Sequence, residues 1–151
     1  MSKDRYLLSS PVFASFFKKD DDRINQVMNK IRPDDIMISV VTLGIIRDAI
    51  DRRPPVERNR FEPYFRDGKN AFNGRTIPVD EKVIEQWARI RSLRLTRTTS
   101  SGPPDQFGED EKLIIATAMD RGLVYLGHKP EPLLELENLG LIARDPWLEP
   151  F

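Results

Sequence analysis

Ile36-Met37-Ile38-Ser39-Val40-Val41-Thr42-Leu43-Gly44-Ile45-Ile46-Arg47 is the stretch on which the fold turns. Its first six residues form an apolar run, Ile36 to Val41, that does not alternate with polar side chains. A strand with one wet face alternates, whereas a strand inside a parallel sheet is buried on both faces and reads as a continuous run. The residues that follow read as a strand–helix junction, the repeating unit of such a sheet.

The same pattern extends outward in both directions. Tyr6 to Leu8, Thr76 to Val79, Leu123 to Leu126 and Leu141 to Ala143 are short apolar runs bounded by turn residues, and with Ile36 to Val41 they make five candidate strands. Helical periods lie between them. Ile24, Val27, Met28 and Ile31 share a stripe that Pro33 ends, and Phe61, Tyr64 and Phe65 repeat the spacing after Pro54-Pro55. Val83, Ile84, Trp87 and Ile90 do so in a helix opened by Asp80. All three stripes read as core. A fourth helix is predicted from Glu109 to Arg121, packing Leu113, Ile114, Thr117 and Ala118 and closed by Gly122. Alternating strands and helices predict an α/β fold of three layers, α/β/α, around a mainly parallel sheet of about five strands.

A chain of 151 residues, 39% of them hydrophobic, is expected to form a single domain spanning residues 1–151. Thr98 to Pro104 reads as a polar loop inside that domain. Lys plus Arg and Asp plus Glu number 24 each, so no global positive field draws the chain onto nucleic acid, and any such contact is local. Arg52 and Arg53, followed by Arg58 and Arg60, make one local candidate; Arg89 and Arg91, followed by Arg94 and Arg97, make another. The alternative for both is solvated charge on helix faces. Absence of cysteine excludes disulfides and thiolate zinc sites and suits a cytoplasmic location. The charged start, Met1 to Arg5, predicts no signal peptide, and no segment reaches the ~20 apolar residues of a membrane span.

Ligands of open parallel sheets sit beyond the carboxyl ends of the strands. Those positions are Ser9 and Ser10, Thr42, Asp80, and Gly127 with His128. They include one carboxylate, and Asp80 has a second reading as a helix cap. Ser9 and Ser10 read as packing and capping residues for a helix opening at Pro11. His128 reads as a base or ligand, or as an exposed structural residue in a glycine-containing loop. No glycine-rich phosphate loop, His-Glu-x-x-His pattern or nucleophile elbow is present.

Several segments together carry a resemblance. Tyr6-Leu7-Leu8-Ser9-Ser10-Pro11-Val12 stands at the start, Ser39 to Arg47 at the second junction, and Ile77-Pro78-Val79-Asp80 before the Trp87 helix. Leu113-Ile114-Ile115-Ala116-Thr117-Ala118, Gly122-Leu123-Val124 and Asp145-Pro146-Trp147 follow in order. From Tyr6 to Trp147 the chain resembles the PIN-domain family, in particular its VapC and FitB-like toxin branch. The resemblance implies a ribonuclease fold in which three or four carboxylates hold Mg²⁺ or Mn²⁺, an ion that takes oxygen ligands and activates water.

Carried over residue by residue, the family's acids are mostly absent. The first falls on Ser9, the second on Ile45 and the fourth on Gly127; the third falls on Glu111, with Glu109 and Asp110 beside it. The resemblance therefore implies a catalytically impaired homologue, without a cofactor, that binds a protein partner such as an antitoxin-like protein, or RNA. A homodimer is the default that the family implies. A second reading keeps an active Mg²⁺- or Mn²⁺-dependent endoribonuclease toxin with a displaced site of Glu111, Asp110 and Asp48, Glu111 being the metal ligand. A third is a structural or regulatory dimer with no nucleic-acid role.

Overall fold

Five parallel strands lie side by side in the computed structural model, which describes residues 4–97 and 105–151. β1 (Tyr6–Leu8) occupies the centre, between β2 (Ile36–Ser39) and β6 (Val124–Leu126). β3 (Thr76–Ile77) and β7 (Ile142–Arg144) form the two edges, giving the order β3-β2-β1-β6-β7. Leu7 stands opposite Met37 on one side and Tyr125 on the other. Every residue of β1, β2 and β6 is buried, which is why their runs are continuous rather than alternating.

Each face is covered by helices. Leu7, Met37, Ile77 and Tyr125 pack with Ile114 and Ile115 of α6 (Glu109–Arg121) and with Val83 and Ile90 of α5 (Glu81–Ile90). Tyr6, Leu8, Ile38 and Leu126 turn the other way, onto α1 (Ser10–Lys18), α2 (Asp22–Asn29) and α3 (Val40–Asp51). The alternation of Leu7 against Tyr6 and Leu8 is the two-residue period of a strand feeding two cores. The three-layer α/β/α architecture with a five-stranded parallel sheet is the one the apolar runs predict.

Boundaries differ where local capping overrides the apolar pattern. β2 ends at Ser39 rather than Val41, because the Ser39 hydroxyl accepts the Val41 N–H at 3.0 Å and starts α3 there. Val40 is consequently 43% exposed. β7 is shifted by one residue from Leu141–Ala143, and α2 ends at Asn29, short of Ile31. The Phe61 stripe is a correction: α4 (Pro55–Ala71) buries no residue fully, Phe61 and Phe65 only lean on the core, and Tyr64 is 54% exposed. Ile84 also faces solvent. Two features were not foreseen, the short helix α7 (Leu133–Asn138) and an antiparallel ribbon of β4 (Thr96–Arg97) with β5 (Asp105–Gln106). The predicted loop Thr98 to Pro104 lies outside the described residues.

α6 spans Glu109 to Arg121 as its period predicts, and Gly122 closes it at φ 64°, a left-handed conformation that costs other residues energy. Asp145-Pro146-Trp147 anchors the segment after β7. Trp147 Nε1 donates to Asp21 Oδ2 at 2.9 Å, and its backbone N–H donates to Asp145 Oδ1 at 2.9 Å. Trp147→Phe keeps an aromatic ring but a smaller one and removes the indole donor; we expect a loss of about 1 kcal/mol or more in urea denaturation. Among the described residues no helix is long and apolar enough to cross a membrane.

Candidate functional site

From β1 the chain turns to β2 and β3 on one side, and it later returns to β6 and β7 on the other. The carboxyl ends of β1 and β6 therefore flank the point where the winding direction reverses, the place where an open parallel sheet forms a crevice. Ser9 follows β1 there. Its N–H donates to Leu126 O at 2.9 Å and its hydroxyl accepts the Val12 N–H at 3.2 Å, so it is pinned between β6 and the start of α1.

Gly127 follows β6 and meets Ser9 face to face. A Cβ placed on Gly127 would lie 2.6 Å from both Cβ and Oγ of Ser9 and 3.2 Å from Cε2 of Tyr125. Glycine is required here by space, since any larger residue displaces Ser9.

Glu111 enters from the opposite face, in the first turn of α6, and is only 7% exposed. Ser10 holds it: the backbone N–H donates to Oε1 at 3.0 Å and the hydroxyl at 2.9 Å. Among the described residues the second oxygen, Oε2, is buried without a hydrogen-bond partner of good geometry, although the Tyr125 phenol is its neighbour, and the Thr42 hydroxyl in the first turn of α3 is likewise unpartnered. Burial pushes the Glu111 carboxyl above its ordinary pKa of 4.5; the two Ser10 donors and the charge of Arg97 act against that without reversing it. Burial likewise raises the pKa of the enclosed Tyr125 phenol, well above its ordinary 10.0. The ends of β1 and β6 thus bring together one carboxyl group, two serines, a threonine and a phenol, and a second buried carboxyl, Asp145, follows the neighbouring strand β7 beside His128.

The other residues singled out by sequence stand apart from that centre. Asp110, next to Glu111, is exposed. Asp48 is exposed on α3 and paired with Arg52 at 3.1 Å. Ile45 is half-buried and packs against the core. Among the described residues, no three histidine or acidic side chains lie close enough together to hold a metal ion.

Asp80 is the cap of α5, accepting the Val83 N–H at 3.0 Å, a bond that holds its carboxyl below the ordinary range; Arg121 joins it at 2.8 Å. His128 is not exposed as expected. It is half-buried, stacked on Trp147 with centroids 4.5 Å apart, and its Nδ1 lies 3.3 Å from Asp145 Oδ2. Arg53 pairs with Glu57 at 3.7 Å and covers the Phe61 ring, Arg91 covers Trp87, and Arg89 is exposed in the last turn of α5. Sequence reasoning missed Ser10 as the partner of Glu111, and Tyr125 and Arg97 as its neighbours. The two partners are 101 residues apart, and no local spacing signals the contact.

Beside the crevice lies a groove of about 250 Å³, floored by Pro11, Ala14, Phe17, Ile45, Ile46 and Ile50. Ser10 lines its inner end, and Lys18 and Arg53 also line it.

No protein-family model and no curated protein matches the chain. Solved structures do. A chain of FitAcB from Neisseria gonorrhoeae superposes with a TM-score of 0.75 at 19% identity, over 95% of this chain and 99% of that one. A chain of DNA-bound VapBC from Salmonella typhimurium gives 0.69 at 18% identity, over 95% and 99%. VapBC-5 from Mycobacterium tuberculosis, a member of the VapBC family of toxin–antitoxin systems, gives 0.58 at 19% identity, over 95% and 98%. At such identities the likeness establishes the fold: this chain has the PIN-like fold of VapC- and FitB-type structures.

Proposed function

We propose that the chain is a VapC-like protein whose acidic centre has been replaced by a single sealed carboxyl, and that it acts by binding an antitoxin-like protein rather than by cutting RNA. The observation that carries this reading is the environment of Glu111, enclosed and held through one oxygen by Ser10. A Mg²⁺ or Mn²⁺ ion, which the PIN fold implies, takes a set of oxygen ligands made of one or two ionised carboxylates, waters and substrate phosphates, and so needs an open, charged carboxylate with room for water around it. The residues present do not fit it: Ser9 and Gly127 are packed against each other, Ile45 offers no donor, and Asp48 is turned to Arg52.

Partner binding has its own support in the apolar groove beside Ser10. Its walls are aliphatic and aromatic with two cations, the composition that receives an amphipathic segment carrying acidic residues at its edge. The similar VapBC-5 structure from Mycobacterium tuberculosis, a member of a family of toxin–antitoxin systems, agrees with a partner of that kind. A homodimer, with the partner bound to each copy, belongs to the same reading.

Two experiments test it. Purified protein incubated with single-stranded and structured RNA in Mn²⁺ is expected to give no cleavage above that of Glu111→Gln; cleavage that disappears in that variant restores the displaced-site ribonuclease. Where the adjacent reading frame encodes a small antitoxin-like protein, its co-expression with this chain is expected to give one complex by size-exclusion chromatography. Ala49→Glu, a charge placed on the groove wall, is expected to weaken that complex by about tenfold or more. A complex indifferent to Ala49→Glu removes the groove from the reading.

A further inference from the structure

At the amino ends of the strands, away from the crevice just described, three arginines line one pocket. Arg5 precedes β1, Arg75 precedes β3 and Arg121 ends α6; Met37, Gly74 and Pro78 complete a hollow of about 300 Å³. The three cations are balanced unequally. Arg121 is paired with Asp80 at 2.8 Å and Asp120 at 3.3 Å. Arg75 donates to neutral carbonyls alone, those of Pro33, Ile36 and Ala71, and its guanidinium lies over the Phe72 ring. Arg5 is exposed, and among the described residues its side chain donates to the Met37 sulfur at 3.5 Å, a weak acceptor. Among the described residues neither Arg5 nor Arg75 has a carboxylate within ion-pair distance, and Met1 to Lys3 and Thr98 to Pro104 contain no acidic residue.

In a chain with zero formal net charge, this is a local excess of positive charge held on a rigid frame. Three of the five Arg75 N–H donors are engaged with carbonyls, which fixes the plane of the guanidinium and leaves two donors to present. Arg5 contributes a guanidinium with nearly its full set of donors. Guanidinium groups with no carboxylate partner, one of them immobilised, suit a tetrahedral oxyanion, which takes forked N–H···O⁻ bonds from each.

We infer that the Arg5–Arg75–Arg121 pocket is a phosphate-binding site. The shared chemistry is a phosphate group bearing at least one negative charge, carried either by a small phosphorylated molecule or by a nucleic-acid backbone. The site lies at the opposite end of the sheet from Glu111, and it stands whether or not the partner-binding reading holds.

The test uses the full chain and three probes: inorganic phosphate and adenosine 5′-monophosphate by isothermal titration calorimetry, and a fluorescent single-stranded RNA decamer by anisotropy. Saturable, salt-sensitive binding of at least one probe is expected, weakened about tenfold or more by Arg5→Glu, which removes donors and reverses a charge. Lys129→Glu makes the same change of net charge at the other end of the sheet and is expected to shift affinity by about twofold or less. Phosphate or the mononucleotide binding as tightly as RNA identifies a small ligand; RNA binding far more tightly identifies the backbone source. No saturable binding of any probe overturns the site, and so does equal weakening by Arg5→Glu and Lys129→Glu. Circular dichroism on Arg5→Glu checks the fold, and Arg5→Gln, which keeps the side chain's length, is expected to weaken binding in the same direction.

Discussion

Gly127→Asp, which places an acid at the carboxyl end of β6, is expected to cost about 3–5 kcal/mol of stability in urea denaturation. Two effects add. A Cβ at residue 127 lies 2.6 Å from Ser9 Cβ and Oγ, well inside contact distance. Ser9 cannot withdraw without breaking its bonds to Leu126 O and to the Val12 N–H. The steric part alone, read from Gly127→Ala, is expected to be about 1–3 kcal/mol. The remainder comes from desolvating a second carboxylate near Glu111, where Arg97 is the cation that acts on the first. Combining Gly127→Ala with Ser9→Gly removes the atoms in conflict, and the double variant should recover about 1 kcal/mol or more relative to additivity. A Gly127→Asp protein as stable as the parent would mean that the crevice is open and able to accept acids.

The second large effect concerns pH. Glu111 has a folded-state pKa above its ordinary 4.5, because burial disfavours the carboxylate. Over the window that starts near that ordinary value and ends at the raised one, the native state holds a proton that the unfolded chain has released. Stability from this group is therefore fully present below the unfolded pKa and falls as pH rises through the folded one. Glutamine keeps Oε1 for the two Ser10 donors and carries no charge. Glu111→Gln is expected to match the parent at pH 4 and to exceed it by about 1 kcal/mol or more at pH 8, with the slope between them reduced. Parallel curves for the two proteins would show that Glu111 ionises without penalty.

Much of the architecture was readable because burial on both faces leaves a plain mark. Tyr6 to Leu8 and Val124 to Leu126 carry no polar residue, and Glu109 to Arg121 shows a helical period with a glycine stop. Where the reading failed, a local competitor acted. Ser39 turned the last two apolar residues of its run into the start of α3, and α7, with six residues, is too short to display a period. The ribbon of β4 and β5 has two residues per strand and no apolar pattern at all.

The site divides in the same way. Serine at 9, isoleucine at 45 and glycine at 127 are plain facts of sequence, so the absence of a carboxylate at those three positions was legible. The fate of the remaining acid was not. Asp110 and Glu111 are neighbours in sequence, yet one faces solvent and the other is sealed by Ser10 from a different helix. Only the hydrogen bonds that Ser10, at the start of α1, gives to Glu111 separate them. His128 shows the converse, a polar residue in a loop that Trp147 and Asp145 draw inward from 17 to 19 positions away.

A calorimetric titration of the purified protein with Mn²⁺ tests the central claim most directly, because a lone enclosed carboxyl lacks the charge to capture a divalent ion. No saturable heat is expected up to about millimolar metal, either in the parent or in Glu111→Gln. A one-to-one site of micromolar affinity that disappears in Glu111→Gln would contradict the account and return the chain to the metal-dependent nucleases.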